Sequence, residues 1–333
     1  MDDACFFGAT MAGPTIAAHG SDELKSRRLR GAFSGDEKWC QLFSEPGAGS
    51  DLAGLGTRAV RDGDTWIVNG QKVWNTLAHL ADFGMLLVRS DPDVPKHRGI
   101  TYFALDMHSP GVDVRPLRQM TGDAEFNEVY LTDVAVPDTD RIGEVGGGWG
   151  AAMTTLMNER NTLGSASVSF GDDADVDHDD AGNSSLDEAM RIWHSGVEHT
   201  STLRHRLVSA WIDATILGIT NQRAAARRSE ELGPEGSIAK LFFAEHNQRV
   251  YELCVDLLGA QALVGYDYRP QNRPGGMVGP PGAARQFFLR SRANSIEGGT
   301  SEVQRNIIGE RILGLPQEPR NDRAVPWSEV PRS

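Results

Sequence analysis

Two patterns of hydrophobic and polar positions divide this chain. From Trp39 onward, short alternating or apolar stretches recur, such as Thr65-Trp66-Ile67-Val68 and the run from Gly99 to Leu105. They are separated by turn-forming pairs and triplets, namely Asp62-Gly63, Asn69-Gly70 and Ser109-Pro110-Gly111. Short strands bounded by such turns predict a compact antiparallel β region that ends near Pro137.

A helical spacing begins after the glycine-rich hinge Gly146-Gly147-Gly148. Two sets of apolar residues recur at intervals that place each set on one face of a helix: Leu203, Leu207, Trp211 and Ile216, and then Leu241, Val250, Leu253 and Leu257. This spacing predicts long packed helices, the last of which ends at Leu313-Gly314-Leu315-Pro316. Ahead of the β region, Met11 to His19 is small and apolar, and Ser21 is placed to N-cap a second helix through Arg30.

Three segments lack either pattern. Residues 171–187 are strongly acidic and are interpreted as a solvated loop, because they lack the glycine and glutamate that a calcium loop requires at its sixth and twelfth places. Residues 265–282 are rich in proline and glycine and predict an exposed loop. Residues after Pro316 predict a loose tail.

The patterns therefore predict four regions. These are a residual N-terminal helical segment (1–36), a central β domain (37–140), a C-terminal helical bundle that includes the acidic loop 171–187 (141–316), and a tail (317–333).

Composition narrows the possible functions. The 333 residues carry a formal net charge of -13, which argues against a nucleic-acid or anionic-membrane binder, since either requires a basic face. The three cysteines (5, 40 and 254) lie far apart without metal-ligand spacing, which suits a reducing cytoplasm. No apolar run is long enough to cross a bilayer, and the N-terminus lacks a basic export region. Histidines 194, 199 and 205 do not share one helical face, so no metal site is expected.

One stretch, Ser44-Glu45-Pro46-Gly47-Ala48-Gly49-Ser50-Asp51, predicts a turn that presents backbone N–H groups to a ligand. Three further motifs follow it in order: Gly70-Gln71-Lys72-Val73-Trp74-Asn75-Thr76, Asn158-Glu159-Arg160, and Glu297-Gly298-Gly299-Thr300-Ser301-Glu302-Val303-Gln304-Arg305. Together, the four motifs resemble those of the acyl-CoA dehydrogenase family, over about Cys5 to Pro316.

The resemblance implies an α+β fold with a truncated N-terminal helical part, a central β-barrel domain and a C-terminal helical bundle. It implies FAD-dependent oxidation of an acyl-CoA thioester to its trans-2-enoyl form in fatty acid or steroid side-chain β-oxidation. Electrons would pass to an electron-transfer flavoprotein.

The resemblance also implies roles for residues of three motifs. Ser44 matches a residue that hydrogen-bonds the flavin ring, and Ser50 matches one that contacts the pantetheine arm of CoA. Trp74 and Thr76 match the segment that covers the flavin face and contacts its reactive edge. Independently, a planar, polar-rimmed ring needs an aromatic neighbour and fixed donors. Gly299 and Thr300 match residues that touch FAD.

The reaction needs a carboxylate that removes the α-proton. Many family members carry it immediately before the Gly-Thr of the last motif, where this chain has Gly298. Other family members carry the base on an earlier helix, directly before an arginine, where this chain has Glu159. The resemblance therefore implies Glu159 as the base. Glu297, which lies one residue before the usual position, is the alternative. Arg160 is expected near CoA or beside the carboxylate, and the Gly298 N–H is expected to donate to the thioester oxygen.

Two departures from the family pattern bear on assembly. The Arg-x-x-Phe-Gly motif that clamps the neighbouring subunit's FAD is replaced by Ser169-Phe170-Gly171 and the acidic loop, and Asp256 stands where a glutamine is usual. This pattern resembles heteromeric actinobacterial enzymes, in which two unlike acyl-CoA dehydrogenase chains share sites and substrates include steroid side-chain thioesters. The alternative is a non-catalytic scaffold subunit. An oxidase or DNA-associated relative is disfavoured by the acidic balance.

Overall fold

The computed structural model describes residues 6–166, 185–196, 200–226, 235–264, 283–319 and 322–331. Its strands are β1 (Trp39–Leu42), β2 (Arg58–Asp62), β3 (Thr65–Lys72), β4 (Phe83–Arg89), β5 (Ile100–Asp106), β6 (Val112–Pro116) and β7 (Asn127–Pro137). Its α-helices are α1 (Gly13–His19), α2 (Asp22–Ser34), α3 (Gly148–Ala166), α4 (Ser185–His194), α5 (Ser201–Ala226), α6 (Glu235–Leu258), α7 (Ala284–Arg290) and α8 (Ser301–Ile307). Short 3-10 or π turns lie at Gly8–Ala12, Leu52–Gly54, Ala78–Leu80, Asp138–Asp140, Gly259–Leu263, Ser291–Ser295, Ile308–Ile312 and Trp327–Glu329.

Two helices precede the sheet. The Ser21 hydroxyl accepts a hydrogen bond from the Leu24 N–H and caps α2, as the sequence predicts. The helix continues beyond Arg30 to Ser34, where Gly35 adopts a left-handed conformation with φ 80° and ends it. Leu24 and Ala32 of this helix are buried against the sheet.

The strands form one curled sheet in the order β1-β4-β2-β3-β7-β6, with β5 on the other side of β4. The Asp62-Gly63 hairpin joins β2 to β3, as predicted. The expectation of a wholly antiparallel region is wrong, because β1 pairs with β4 in parallel. Asn69-Gly70 is also not a turn between strands: it is an irregularity inside β3, where the register against β7 shifts.

Both faces of the sheet are buried. Met85 and Leu87 of β4 face α1–α3, whereas Leu86 and Val88 face the inside of the curled sheet. Strand β5 alternates in the same way, which accounts for its nearly continuous apolar sequence. The α+β architecture expected from the sequence is confirmed, with the sheet in the centre and helices after it.

Helix α6 is the centre of the C-terminal helices and packs against α3, α4, α5, α7 and α8. Val250, Leu253 and Leu257 are buried along it, as the spacing predicts. The predicted buried face of α5 is partly wrong, because Trp211 and Ile216 are exposed at 57% and 48%. The residues of α5 that enter the core are Leu207, Ala210, Ala214 and Leu217.

The expectation of a loose tail is wrong for residues 322–331, which lie against the β domain. The Trp327 N–H donates to the Val94 carbonyl at 2.9 Å, and the Ser328 N–H donates to the Pro92 carbonyl at 2.9 Å. Hydrogen bonds to the backbone satisfy polar groups that a solvated tail would leave to water.

Two predicted loops fall largely outside the described residues. Of the acidic loop 171–187, only the last three residues are described, and they already belong to α4, where Leu186 is buried. The proline- and glycine-rich segment 265–282 is not described. The four region boundaries stay predictions. No helix among the described residues is long and apolar enough to cross a bilayer.

Candidate active site

The turn from Ser44 to Asp51 follows β1 directly. Glu45 and Ala48 close it with two backbone hydrogen bonds of 3.1 and 3.0 Å. Gly47 and Gly49 are exposed, and no atom lies within 4 Å of a side chain built at either position. The turn thus presents an open backbone, as the sequence predicts.

A buried ion pair between Lys72 and Glu45 stabilises the first half of the turn. Lys72 of β3 is completely buried and its ammonium lies 2.8 Å from the Glu45 carboxylate. Burial alone would raise the pKa of Glu45, but Lys72 and the Gly56 N–H outweigh it and hold that pKa below its usual range. Lys72 also donates to the Phe43 carbonyl at 3.0 Å, so one ammonium holds both sides of Ser44.

Residues 73–77 form the centre of the candidate site. Val73 donates to the Ser44 carbonyl at 2.9 Å, Asn75 exchanges backbone hydrogen bonds with Asn127, and Leu77 donates to the Glu125 carbonyl at 2.9 Å. Trp74 and Leu77 both adopt left-handed backbone conformations, with φ of 62° and 56°. Such strained residues persist only where surrounding bonds hold them.

The Trp74 side chain is exposed. Its exposed fraction is 61%, and its ring meets Phe126 edge-on with centroids 6.0 Å apart. An exposed tryptophan on a strained, tightly bonded segment leaves one aromatic face for a ligand. Among the described residues, the hydroxyls of Ser44, Ser50 and Thr76 make no hydrogen bond and are available to that ligand.

Glu159 is connected to the Trp74 segment by hydrogen bonds through Gln41. The Gln41 side-chain amide donates to the Glu159 carboxylate at 3.3 Å, and the Gln41 backbone carbonyl accepts from the Asn75 side-chain amide at 2.7 Å. Glu159 is half-buried on α3, and α3 packs against β5. The structure therefore brings Glu159, the end of β1 and the Trp74 segment together.

The carboxylate of Glu297 has a different environment. Arg290 donates to both of its oxygens at 3.2 and 3.0 Å, and the Asn294 amide donates to one of them at 2.7 Å. Arg290 also pairs with the buried Glu125 at 3.0 Å. Burial raises the pKa of Glu125, although Arg290 opposes this shift. Glu297 thus belongs to a partly buried ion-pair group that joins α7 to the β domain.

Hydrogen bonds to its backbone carbonyls stabilise the Gly298-Gly299-Thr300 turn. The Gln304 amide donates to the Gly298 carbonyl at 2.8 Å, and Lys240 donates to the Gly299 carbonyl at 2.5 Å. Both glycines have positive φ, 64° and 92°, and the Thr300 hydroxyl caps α8 by accepting from the Val303 N–H. Within the described chain the N–H groups of residues 298–300 make no hydrogen bond, so they remain for a ligand.

Three predicted positions are less completely placed. Ser50 is exposed at the end of the first turn. Arg160 continues α3, but its side chain lies outside the described residues. Asp256 is paired with Arg206 at 2.5 Å within the same chain. No cluster of three metal-ligating side chains occurs in the described part of the chain.

Several residues of this site were not singled out from the sequence. They are Gln41, Asn75, Phe126, Arg290 and Lys240. Asn75 and Gln304 stand inside quoted motifs, and their polarity amid buried neighbours is a usable signal. Gln41 and Arg290 have no local signal, because each has a partner more than 100 residues away in the chain, Glu159 and Glu125 respectively.

The residues present fit a planar, polar-rimmed cofactor such as the flavin of FAD. The exposed Trp74 ring supplies an apolar face, and the hydroxyls of Ser44 and Thr76 supply polar contacts at its rim. The open N–H groups of the second glycine turn add donors, and Lys240 and Gln304 orient them.

Comparisons with known proteins show the family of this chain. The acyl-CoA dehydrogenase middle-domain model matches residues 40–134, and the C-terminal-domain model matches residues 191–313. The chain is 38% identical to acyl-CoA dehydrogenase FadE34 of Mycobacterium tuberculosis, over 92% of this chain and 39% of that protein. It is 37% identical to acyl-CoA dehydrogenase IpdE1 of the same organism, over 95% of this chain and 77% of that protein.

Two solved heteromeric assemblies have the same fold. The Tcur3481-Tcur3483 steroid ACAD superposes with a TM-score of 0.78 at 27% identity, covering 94% of this chain and 77% of the other. The ChsE4-ChsE5 complex from Mycobacterium tuberculosis superposes with a TM-score of 0.71 at 30% identity, covering 94% and 78%. On the matched domains, the relatives and the fold, this chain belongs to the acyl-CoA dehydrogenase family.

Proposed function

We propose that this chain is a catalytic subunit of an FAD-dependent acyl-CoA dehydrogenase, with Glu159 as the base that removes the α-proton. The observation that carries the proposal is the Gln41 bridge, which connects the Glu159 carboxylate to the Trp74 segment. Glu297, the alternative, accepts hydrogen bonds from Arg290 and Asn294. Moving its carboxylate away would leave the partly buried Arg290 with Glu125 as its one carboxylate partner among the described residues.

When bound, FAD supplies the hydride acceptor for the reaction. The side chains of Ser44 and Thr76 would hold its ring against Trp74, with Gly299 and Thr300 contributing backbone contacts. FAD is the cofactor supported by the family and by an FAD-dependent dehydrogenase among the structural neighbours.

The protein groups act on the thioester. The Gly298 N–H donates to the thioester oxygen, which stabilises the negative charge that develops there as the α-proton leaves. The α-proton goes to a Glu159 carboxylate oxygen, while the β-carbon loses a hydride and the double bond forms between the two carbons. Ser50 contacts the pantetheine arm, and Arg160 lies near CoA or orients Glu159.

The proposed holoenzyme contains a second acyl-CoA dehydrogenase-like chain and passes its electrons to an electron-transfer flavoprotein. The heteromeric steroid ACAD and the ChsE4-ChsE5 complex support the second chain. An apolar stripe on α5 supports assembly as well, since Val208, Trp211, Ile212, Ile216 and Ile219 are 45–61% exposed. By the same similarity, the proposed substrate class is a bulky steroid-type acyl-CoA, handled in the cytoplasm.

The test compares flavin content and acyl-CoA-dependent flavin bleaching for this chain alone and co-expressed with a second acyl-CoA dehydrogenase-like chain. The expected result is flavin in the co-expressed sample, bleached in wild type and in Glu297→Gln but not in Glu159→Gln. Bleaching that survives in Glu159→Gln and is lost in Glu297→Gln would move the base to Glu297. A co-expressed complex that bleaches equally in both variants would favour the scaffold role for this chain.

A further inference from the structure

The segment 322–331 reaches the ligand-facing turn from the far end of the chain. Pro326 pairs with Pro95, and the backbone N–H groups of Trp327 and Ser328 bond to carbonyls of the loop between β4 and β5. This attachment places the Trp327 ring against residues 53–56, which follow the turn.

Trp327 contacts the backbone on the C-terminal side of the turn. Its indole N–H donates to the Gly54 carbonyl at 3.1 Å. Its ring lies under the Arg89 guanidinium, 4.8 Å from the ring centroid. Arg89 in turn donates to the Ala53 carbonyl at 2.6 Å and to the Leu55 carbonyl at 3.4 Å. Three consecutive carbonyls are therefore held by two side chains that stack on each other.

Asp322 contributes a second connection. The Lys96 ammonium lies 2.9 Å from both oxygens of Asp51 and 2.5 Å from Asp322. Asp51 directly follows Ser50. Both carboxylates raise the pKa of Lys96 against the opposing effect of its partial burial. One protonated lysine thus ties the last residue of the turn to the C-terminal segment.

The turn needs such support on this side. Its first half is fixed by the buried Lys72–Glu45 pair, but Gly47, Gly49 and Ser50 are exposed. A turn that orders only when ligand arrives loses conformational entropy in binding, and this weakens affinity. A contact that orders the turn beforehand removes that cost.

We propose that Asp322 and Trp327 are positioning residues that hold the Ser44–Asp51 turn in its ligand-binding conformation, through Lys96–Asp51 and through Gly54. The part that concerns acyl-CoA rests on the function proposed above. The connection itself rests only on the contacts of the segment.

The experiment uses the full chain co-expressed with its partner chain and compares Asp322→Asn with Glu329→Gln. Both substitutions remove one negative charge from the same segment, but Glu329 is exposed, and in the described part of the chain no hydrogen bond or ion pair joins its side chain to the turn. Amide hydrogen exchange of residues 47–57 is expected to speed up in Asp322→Asn and not in Glu329→Gln. The KM for acyl-CoA is expected to rise about three- to tenfold in Asp322→Asn, with kcat little changed.

A second pair separates positioning from folding. Trp327→Phe keeps a ring beneath Arg89 but loses the N–H donated to Gly54, whereas Trp327→Ala loses both. The expected order of hydrogen exchange at residues 47–57, and of KM, is wild type, then Phe, then Ala. Unchanged exchange there in both Asp322→Asn and Trp327→Ala overturns the inference, as does faster exchange with an unchanged KM. If wild type shows no acyl-CoA-dependent bleaching, the proposed function fails and hydrogen exchange alone decides whether the segment holds the turn.

Discussion

The side-chain amide of Gln41 lies 3.3 Å from the carboxylate of Glu159, while the backbone carbonyl of Gln41 accepts a hydrogen bond from the Asn75 side chain. The side chain and the backbone of one residue of β1 therefore connect α3 to the segment that carries Trp74. This connection positions the proposed base relative to the proposed cofactor surface. The strand and the segment are both well bonded, so the glutamine transmits their rigidity to the carboxylate.

Replacing Gln41 by leucine should slow catalysis without preventing cofactor binding. A hydrogen bond to a charged group contributes about 1.5–3 kcal/mol, and at 3.3 Å the lower end applies, so kcat is expected to fall roughly tenfold. Stopped-flow flavin reduction measures the effect. Gln71→Leu is the control, because Gln71 bonds to Glu128 and Tyr130 at the surface of β3. Equal rates in the two variants would show that Gln41 does not position the base.

Replacing Glu297 by glutamine should affect stability more than rate. The substitution leaves Arg290, whose side chain is only 12% exposed, with Glu125 as its remaining carboxylate partner among the described residues. The free energy of unfolding is expected to fall by about 1–3 kcal/mol, measured by urea denaturation. Glu302→Gln provides the control, since Glu302 is 79% exposed and its ion pair with Arg305 is long. A large loss of rate with no loss of stability would contradict the structural role.

Gly299→Ala should disturb the second glycine turn. A β-carbon there would lie 2.6 Å from the Gln304 amide nitrogen, at a backbone φ of 92° that side chains rarely adopt. The expected result is a loss of roughly 1–3 kcal/mol in stability and of flavin content. Gly49→Ala is the matched control in the first turn, because no atom lies within 4 Å of a β-carbon placed at Gly49. Full flavin content in Gly299→Ala would show that the turn tolerates the side chain.

Ile212→Arg should weaken assembly. Ile212 is 45% exposed within the apolar stripe of α5, and a charge at the centre of a buried interface costs far more than at its rim. Light scattering after size exclusion should report a smaller species than wild type. Val60→Arg is the control, because Val60 is also 45% exposed but lies on β2. An unchanged mass in Ile212→Arg would place the interface elsewhere.

His246 should make stability depend on pH. The side chain is 5% exposed on α6, and burial lowers its pKa to about 4, with Arg249 acting in the same direction and Asp213 opposing. In the unfolded chain the pKa of His246 is near 6.5. The neutral, buried His246 therefore makes its full contribution to the free energy of unfolding above that pH, and this contribution is lost as the pH falls toward about 4. Between about pH 7.5 and about pH 5, wild type should lose up to about 2 kcal/mol more than His246→Gln in urea denaturation. Equal losses in both proteins would show that His246 is accessible to protons in the folded state.

Local features of the fold could be predicted because their causes are local. Ser21 caps its helix, Asp62-Gly63 makes a hairpin, and Thr300 caps α8, all through atoms within a few residues. The parallel pairing of β1 with β4 was missed because it joins segments about 40 residues apart, and neither sequence carries a sign of the other. The spacing of Trp211 predicts the face of α5 on which it lies. Spacing does not determine whether another element covers that face, and Trp211 is exposed.

The candidate site divides in the same way. Motifs identified the turns and Trp74, because glycine and an aromatic residue have recognisable roles there. The preference for Glu159 over Glu297 stays a prediction: the sequence supports it by position, and the two hydrogen bonds from Arg290 to Glu297 depend on the folded structure. Long-range partners of this kind follow from the folded topology and cannot be read from either segment alone.

The contact between residues 322–331 and the β domain also orders events during synthesis. The strands emerge from the ribosome first, and Trp327 and Asp322, which complete their surface beside Gly54 and Lys96, are translated only after all the helices that follow the sheet. Contacts between distant parts of a chain close slowly, because the intervening loop must lose entropy first. A nascent chain would therefore carry a finished sheet with an unfinished ligand turn, and cofactor capture at that turn would wait until residues 322–331 have been translated.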